Sequence, residues 1–163
     1  MTPAAVFSPD RQYRYLLRRR ALLGAETTCL FVLLNPSTAD ETVNDPTIRR
    51  CLGFARSWGF GHLVVANLFA LRSTDPKPLY QHPDPVGPDN DRHIAEASAE
   101  ARLTIAGWGN HGELRHQGEY VRLLLDKPKH LGLTKQGHPR HPLYLRADTA
   151  PLDWQPPQGR RPG

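Results

Sequence analysis

The run Thr28-Cys29-Leu30-Phe31-Val32-Leu33-Leu34 (TCLFVLL), cut off by Asn35-Pro36, decides the fold. It is apolar without interruption, so a strand made from it has no wet face and needs helices on both sides of its sheet. The stretch therefore reads as a central strand, the first parallel member of an α/β sheet.

The neighbouring sequence follows the same logic. After Asn44 comes a helix with Asp45 as N-cap and Pro46 at the first helical position. Ile48, Cys51, Leu52, Ala55 and Trp58 follow at helical spacing, and Gly59 ends it. Residues 62–69 (HLVVANLF) predict a second buried strand, and residues 89–101 (DNDRHIAEASAEA) a second helix behind a proline-rich loop. Residues 102–108 (RLTIAGW) predict a third strand, Glu113 to Leu125 a third helix, and His130 to Leu133 a short fourth strand. Upstream, Tyr13, Tyr15 and Leu17 alternate with Arg14 and Arg18, the pattern of an edge or antiparallel strand with one wet face. The expected architecture is a three-layer α/β/α sandwich: a central, mostly parallel four-stranded sheet plus an N-terminal edge strand. Residues 1–155 form one α/β domain in this reading. Residues 156–163 (PPQGRRPG), with almost nothing to bury, are a flexible tail.

Composition narrows the function. A chain of 163 residues can bury a core without metal or disulfide support. Its two cysteines, Cys29 and Cys51, form no CxxC pair and read as small buried hydrophobes. No stretch is long and apolar enough to span a bilayer, and no charged start precedes an apolar signal core, so a cytoplasmic protein without membrane contact is expected. A formal net charge of +5 favours polyanionic partners, because phosphate neutralisation releases condensed counterions. A monomer is the default expectation.

In an open parallel sheet, ligands bind beyond the carboxyl ends of the strands. The first strand is followed by Asn35-Pro36-Ser37-Thr38-Ala39-Asp40, the second carries Asn67, and the third runs into Trp108-Gly109-Asn110. Thr134-Lys135 and the segment from Gly137 to Tyr144 follow the fourth. Asn35 before proline either shapes a turn or serves the site. Asn67 lies inside an apolar run, where an amide must find partners, and its flat donor and acceptor edge suits a heterocycle. Trp108 is either core or a stacking surface for a base. Asp40 and Asp45 are the acidic candidates for activating a water, and Asp40 is preferred because Asp45 is already used as a cap. His141, between Arg140 and Pro142, is an imidazole held by rigid neighbours. Pro36, Ser37, Lys135 and Tyr144 complete the candidate binding set, with Arg49, Arg50, Arg72 and Arg140 as candidate nucleic-acid contacts. There is no Gly-rich phosphate loop with Lys-Ser/Thr, no GxSxG elbow and no HExxH. His111 and His116 are off one-turn spacing, and His138 and His141 have no obvious third ligand, so neither a metal nor a cofactor is expected.

The runs LNPSTAD at 34–40, NDPTIRR at 44–50, NLFALRSTDP at 67–76, AGWGNHG at 106–112 and LGLTKQGHPRHPLYL at 131–145 resemble domain of unknown function family 1643. More distantly, the arrangement is similar to the uracil-DNA glycosylase superfamily. Asn35-Pro36-Ser37 matches its first motif and His141-Pro142-Leu143 its last, with Leu143 where that motif has serine. The resemblance implies a uracil-DNA glycosylase-like fold in which Asn35 or Asp40 holds the attacking water, Asn67 reads the base edge and His141 binds the leaving base's oxygen. The functional expectation is recognition of a nucleobase, nucleotide or DNA, with N-glycosidic hydrolysis as the associated chemistry. The alternatives are a non-catalytic nucleic-acid or nucleotide-binding module and a hydrolase or transferase acting on free nucleotides.

Overall fold

The computed structural model describes residues 3–155. The tail expected at 156–163 lies outside them. The strands are β1 (Ala5–Phe7), β2 (Arg14–Arg20), β3 (Thr28–Leu33), β4 (His62–Asn67), β5 (Leu103–Ala106), β6 (Lys129–His130) and β7 (Leu152–Asp153). The helices are α1 (Pro46–Ser57), α2 (Lys77–Gln81), α3 (Asn90–Glu100) and α4 (Gln117–Leu124), with 3-10 turns at Asn110–His116 and Pro142–Tyr144.

All strands join one sheet in the order β1-β2-β4-β3-β5-β6-β7. β3 lies parallel to both β4 and β5, and β5 parallel to β6, which gives the expected parallel centre. The strand read as an edge is not one. β1 pairs antiparallel outside β2, and β7 adds an antiparallel strand beyond β6.

Two buried clusters define the layers. Cys29, Phe31, Leu33, Leu63, Val65 and Ile105 pack beneath Ile48, Cys51, Leu52, Phe54 and Ala55 of α1. Leu30, Val32, Ala66 and Ala106 point the other way, towards Ile94 of α3 and Val121 of α4. The uninterrupted apolar run of β3 thus alternates between two helical layers, as burial on both faces requires. α1 forms where its caps demand: the Asp45 carboxylate accepts a 2.9 Å hydrogen bond from the Ile48 amide, and Pro46 occupies the first turn. Phe31, Phe54 and Trp58 stack between helix and sheet. Cys29 and Cys51 are free and buried, and burial pushes both thiols far above their ordinary pKa.

The helix expected from Glu113 to Leu125 is two pieces. Arg115 and His116 adopt positive φ angles of 55° and 54°, so the 3-10 turn ends there and α4 begins at Gln117.

Candidate functional site

The chain leaves β3 towards β4 on one side, whereas it leaves β5 towards β6 on the other. Loops that part in this way open a crevice at the carboxyl ends of the strands. On the face covered by α1, three strand ends and a turn stand in a row. Asn67 is the register partner of Leu33. A Cβ added to Gly107, just past β5, would meet the Leu33 Cδ2 at 3.2 Å and the Pro142 Cδ at 3.1 Å. A side chain there would press its neighbours aside, and this close packing sets the strand that leads into the Asn-Pro-Ser turn and the His141-Pro142 turn at one edge of the molecule.

His141 caps the turn Pro142–Tyr144: its Nδ1 accepts a 3.2 Å hydrogen bond from the Leu143 amide. Burial lowers the imidazole pKa from its ordinary 6.5, against a smaller opposing effect of the Asp45 charge. A neutral ring that accepts at Nδ1 carries its proton on Nε2. That Nε2 has no hydrogen-bond partner among the described residues and is not sealed from solvent. The ring lines a cleft of about 540 Å³ with Asn110, His111, Lys135, Arg140 and Tyr144. Thr134 Oγ1 donates to Asn110 Oδ1 at 2.6 Å, and Asn110 Nδ2 to Gln136 Oε1 at 3.1 Å, which stiffens one wall. Tyr144 forms the rim, 85% exposed, with its ring 6.2 Å from that of His141.

The first loop is built around carbonyls. Asn35 Nδ2 donates to the Ser73 carbonyl at 2.8 Å, while Pro36 is buried and its carbonyl accepts from the Ser73 amide at 2.9 Å, so Asn35-Pro36 ties the segments after β3 and β4 together. Ser37 is half-buried. Asp40 Oδ1 accepts from the Thr42 and Val43 amides at 2.9 and 2.8 Å, and these bonds hold its carboxyl below the usual range. Asp40 therefore serves as a turn former with an ionised carboxylate. Arg19 of β2 clasps the same loop, donating to the carbonyls of Asp40 and Val43 and to Asn44 Oδ1.

Beneath this loop lies Arg14, only 2% exposed, although the alternation of β2 had put it on a wet face. Its Nη1 donates to the Ala39 carbonyl at 3.2 Å and its Nη2 to Asn67 Oδ1 at 3.3 Å. Asn67 is thus partnered, and its backbone carbonyl takes a 2.7 Å bond from Asn90 Nδ2. Asp45 is the carboxylate among the described residues whose charge reaches both Arg14 and His141. Sequence reasoning ranked Asp45 behind Asp40 because of its capping role, and it missed the burial of Arg14.

Trp108 is placed in the core. It is 3% exposed and tilted against Trp154, and a Cβ on Gly112 would stand 2.2 Å from its Cδ1. No face lies open for a base to stack on. The four candidate arginines divide. Arg140 lines the cleft and donates to the Leu133 carbonyl, and Arg50 donates to the Pro142 carbonyl and supports the His141 turn. Arg49 is exposed on α1, and Arg72 lies over the Phe7 ring, 4.8 Å from its centroid. Among the described residues no group of three or more His, Cys, Asp or Glu side chains is placed to hold a metal ion. No described helix is long and apolar enough to cross a membrane.

A model of the family described as protein of unknown function, DUF1643, matches residues 14–143. The chain belongs to the DUF1643 family. In this DUF1643 protein the matched stretch begins at the buried Arg14 and ends at Leu143, so it takes in Asn35, Asp45, Asn67 and His141 and stops short of the rim residue Tyr144. No curated protein and no solved structure matches the chain.

Proposed function

We propose that this protein recognises a nucleobase or nucleotide at the carboxyl edge of its sheet. The reading is carried by one observation: His141 is tied through Nδ1 to the Leu143 amide, which leaves a neutral Nε2–H donor at the cleft. Such a donor suits a carbonyl or anionic oxygen of a heterocycle without adding a full charge. Asn110 at the same cleft supplies a second polar corner, whereas Asn67 is 1% exposed and lies beside Leu33, away from the cleft lining. Lys135 and Arg140 at the cleft suit a phosphate, and Tyr144 an exposed base face. Calorimetric titration with the 5′-monophosphates of uridine, cytidine, inosine and adenosine tests this. Saturable binding that His141→Gln weakens by about tenfold or more is expected. Absence of binding to all of them would contradict it.

N-glycosidic hydrolysis is the second reading, and the neutral His141 donor favours it too. In that step a water oxygen bonds to C1′ and the C1′–N bond breaks, its electron pair leaving with the base. The proton shed by the water ends on the base nitrogen through solvent. His141 would stabilise the anionic base, and the ionised carboxylate of Asp40, or else the Asp45 side chain, would oppose the positive charge that develops on the sugar. Incubation with DNA containing uracil, hypoxanthine or a thymine mismatch should yield abasic product. Binding of nucleotides without any such product would leave a recognition module.

A further inference from the structure

We infer that the cleft anchors its ligand by a terminal phosphate, and that His111, aimed by Tyr80, is a further phosphate-binding residue beside Lys135 and Arg140. The inference rests on the nucleobase or nucleotide reading above and narrows it. The substrate class is a nucleotide with a phosphomonoester, rather than a free base, a nucleoside or a backbone phosphodiester.

The three basic side chains come from two segments that the backbone ties together. Lys135 lies in a hairpin bridged at Leu133 and Pro139, in which the Thr134 amide donates to the His138 carbonyl at 2.8 Å and the Arg140 amide to the Gly132 carbonyl at 2.9 Å. The Gly109 amide donates to the Pro139 carbonyl at 2.7 Å, which fastens the Asn110-His111 segment to that hairpin. His111, Lys135 and Arg140 are all exposed and all line the one cleft. The His111 ring is also aimed. The Tyr80 hydroxyl lies 2.8 Å from its Nδ1, with the two rings edge to face at 5.8 Å. A phenol donates more readily than a neutral imidazole, so Nδ1 accepts and the ring proton lies on Nε2. That Nε2 has no partner among the described residues. His111 thus repeats the arrangement at His141: one ring nitrogen is held and the other is left as an N–H donor.

Charge decides what the donors meet. No aspartate or glutamate lines this cleft. Elsewhere on the surface basic side chains find carboxylates, as Arg11 does in Glu41, Arg20 in Glu26 and Arg146 in Asp148. Lys135 has no such partner among the described residues, and Arg140 commits only its Nε, to the Leu133 carbonyl at 3.2 Å, which fixes the guanidinium and leaves both Nη groups over. Two unopposed cations on one cleft repel each other until an anion lies between them. A phosphomonoester brings about 1.5 to 2 negative charges at neutral pH, and a backbone phosphodiester about one. A cleft of about 540 Å³ has the size for a single small ligand such as a mononucleotide.

The test is calorimetry on the full chain with inosine 5′-monophosphate, its 5′-phosphate methyl ester, inosine and ribose 5-phosphate. The monophosphate should bind about tenfold or more tighter than inosine and about threefold or more tighter than the methyl ester. His111→Ala should weaken the monophosphate and ribose 5-phosphate by about tenfold while leaving inosine within about twofold. Tyr80→Phe keeps the ring and removes the hydroxyl; it should weaken the monophosphate about threefold, and nitrogen-detected NMR should find the His111 proton shared between both ring nitrogens instead of held on Nε2. Inosine bound as tightly as the monophosphate would overturn the phosphate anchor and leave base recognition standing. Equal affinity for the methyl ester would overturn the terminal phosphate. Undiminished monophosphate affinity in His111→Ala would overturn the role of His111, and an unaltered His111 ring in Tyr80→Phe that of Tyr80. Ribose 5-phosphate bound as tightly as the monophosphate would keep the phosphate site and sink the nucleobase reading. Binding of none of the four would sink both.

Discussion

A half-buried imidazole whose Nδ1 accepts from a backbone amide has one neutral tautomer available, and His141 is in that position. Nitrogen-detected NMR at pH 7 should find it neutral with the proton on Nε2. A cationic ring, or a proton on Nδ1, would contradict the site. The same burial sets a pH dependence. The folded pKa lies below the ordinary 6.5, so in acid the unfolded chain takes up a proton that the folded ring refuses. The contribution of His141 is present above that value and is lost as pH falls below it. His141→Gln should therefore flatten the acid limb of a stability profile, whereas a limb equally steep in the variant would show that the ring is not shielded. The two carboxylates can also be told apart. Asparagine caps helices about as well as aspartate, so Asp45→Asn should keep the fold within about 1 kcal/mol while removing the charge that Arg14 and His141 feel. Asp45→Asn should change nucleotide affinity more than Asp40→Asn, whose carboxylate is occupied with the Thr42 and Val43 amides. The reverse order would return Asp40 to the centre of the site. His141 and Asn67 could be singled out in sequence by a rigid proline neighbour and by an amide within an apolar run. Arg14 could not, because strand alternation assigned it to solvent and only the loop folding back over β2 buries it.

β2 acts as a clamp on the loop between β3 and α1. Arg14 and Arg19 together take the carbonyls of Ala39, Asp40 and Val43, and Arg19 also takes Asn44 Oδ1. Backbone carbonyls in a loop otherwise turn to water, and such crosslinks hold the segment that carries Asn35 and Asp45. Arg19→Ala should speed hydrogen exchange at the Thr42 and Val43 amides while β3 and β4 stay protected. Unchanged exchange in that loop would remove β2 from the account. At this scale the sequence was informative where the signals were redundant. Asp45-Pro46 and the apolar spacing through Trp58 mark α1, which the structure places at Pro46–Ser57. β1 and β7 are too short for alternation to register, at three and two residues. The break before α4 depends on left-handed conformations at Arg115 and His116, which are not residues that advertise such a turn.

For the whole molecule, the order β4-β3-β5-β6 converts four strand ends scattered along the chain into one edge. That parallel centre could be read from sequence, since buried runs alternating with helices leave few other arrangements. Where the positive charge goes could not. Arg14, Arg19, Arg50 and Arg72 each bond to backbone carbonyls of the protein itself, so the net charge of +5 is less available to a polyanion than composition implies. The central claim is that Asn110 and His141, on separate loops at the carboxyl edge of the sheet, contact one ligand. The direct test is an NMR titration with inosine 5′-monophosphate that follows the Asn110 side-chain amide and the His141 ring together. Both sets of resonances should shift along a single saturation curve; a shift in only one of them, or in neither at saturating nucleotide, would contradict the shared site.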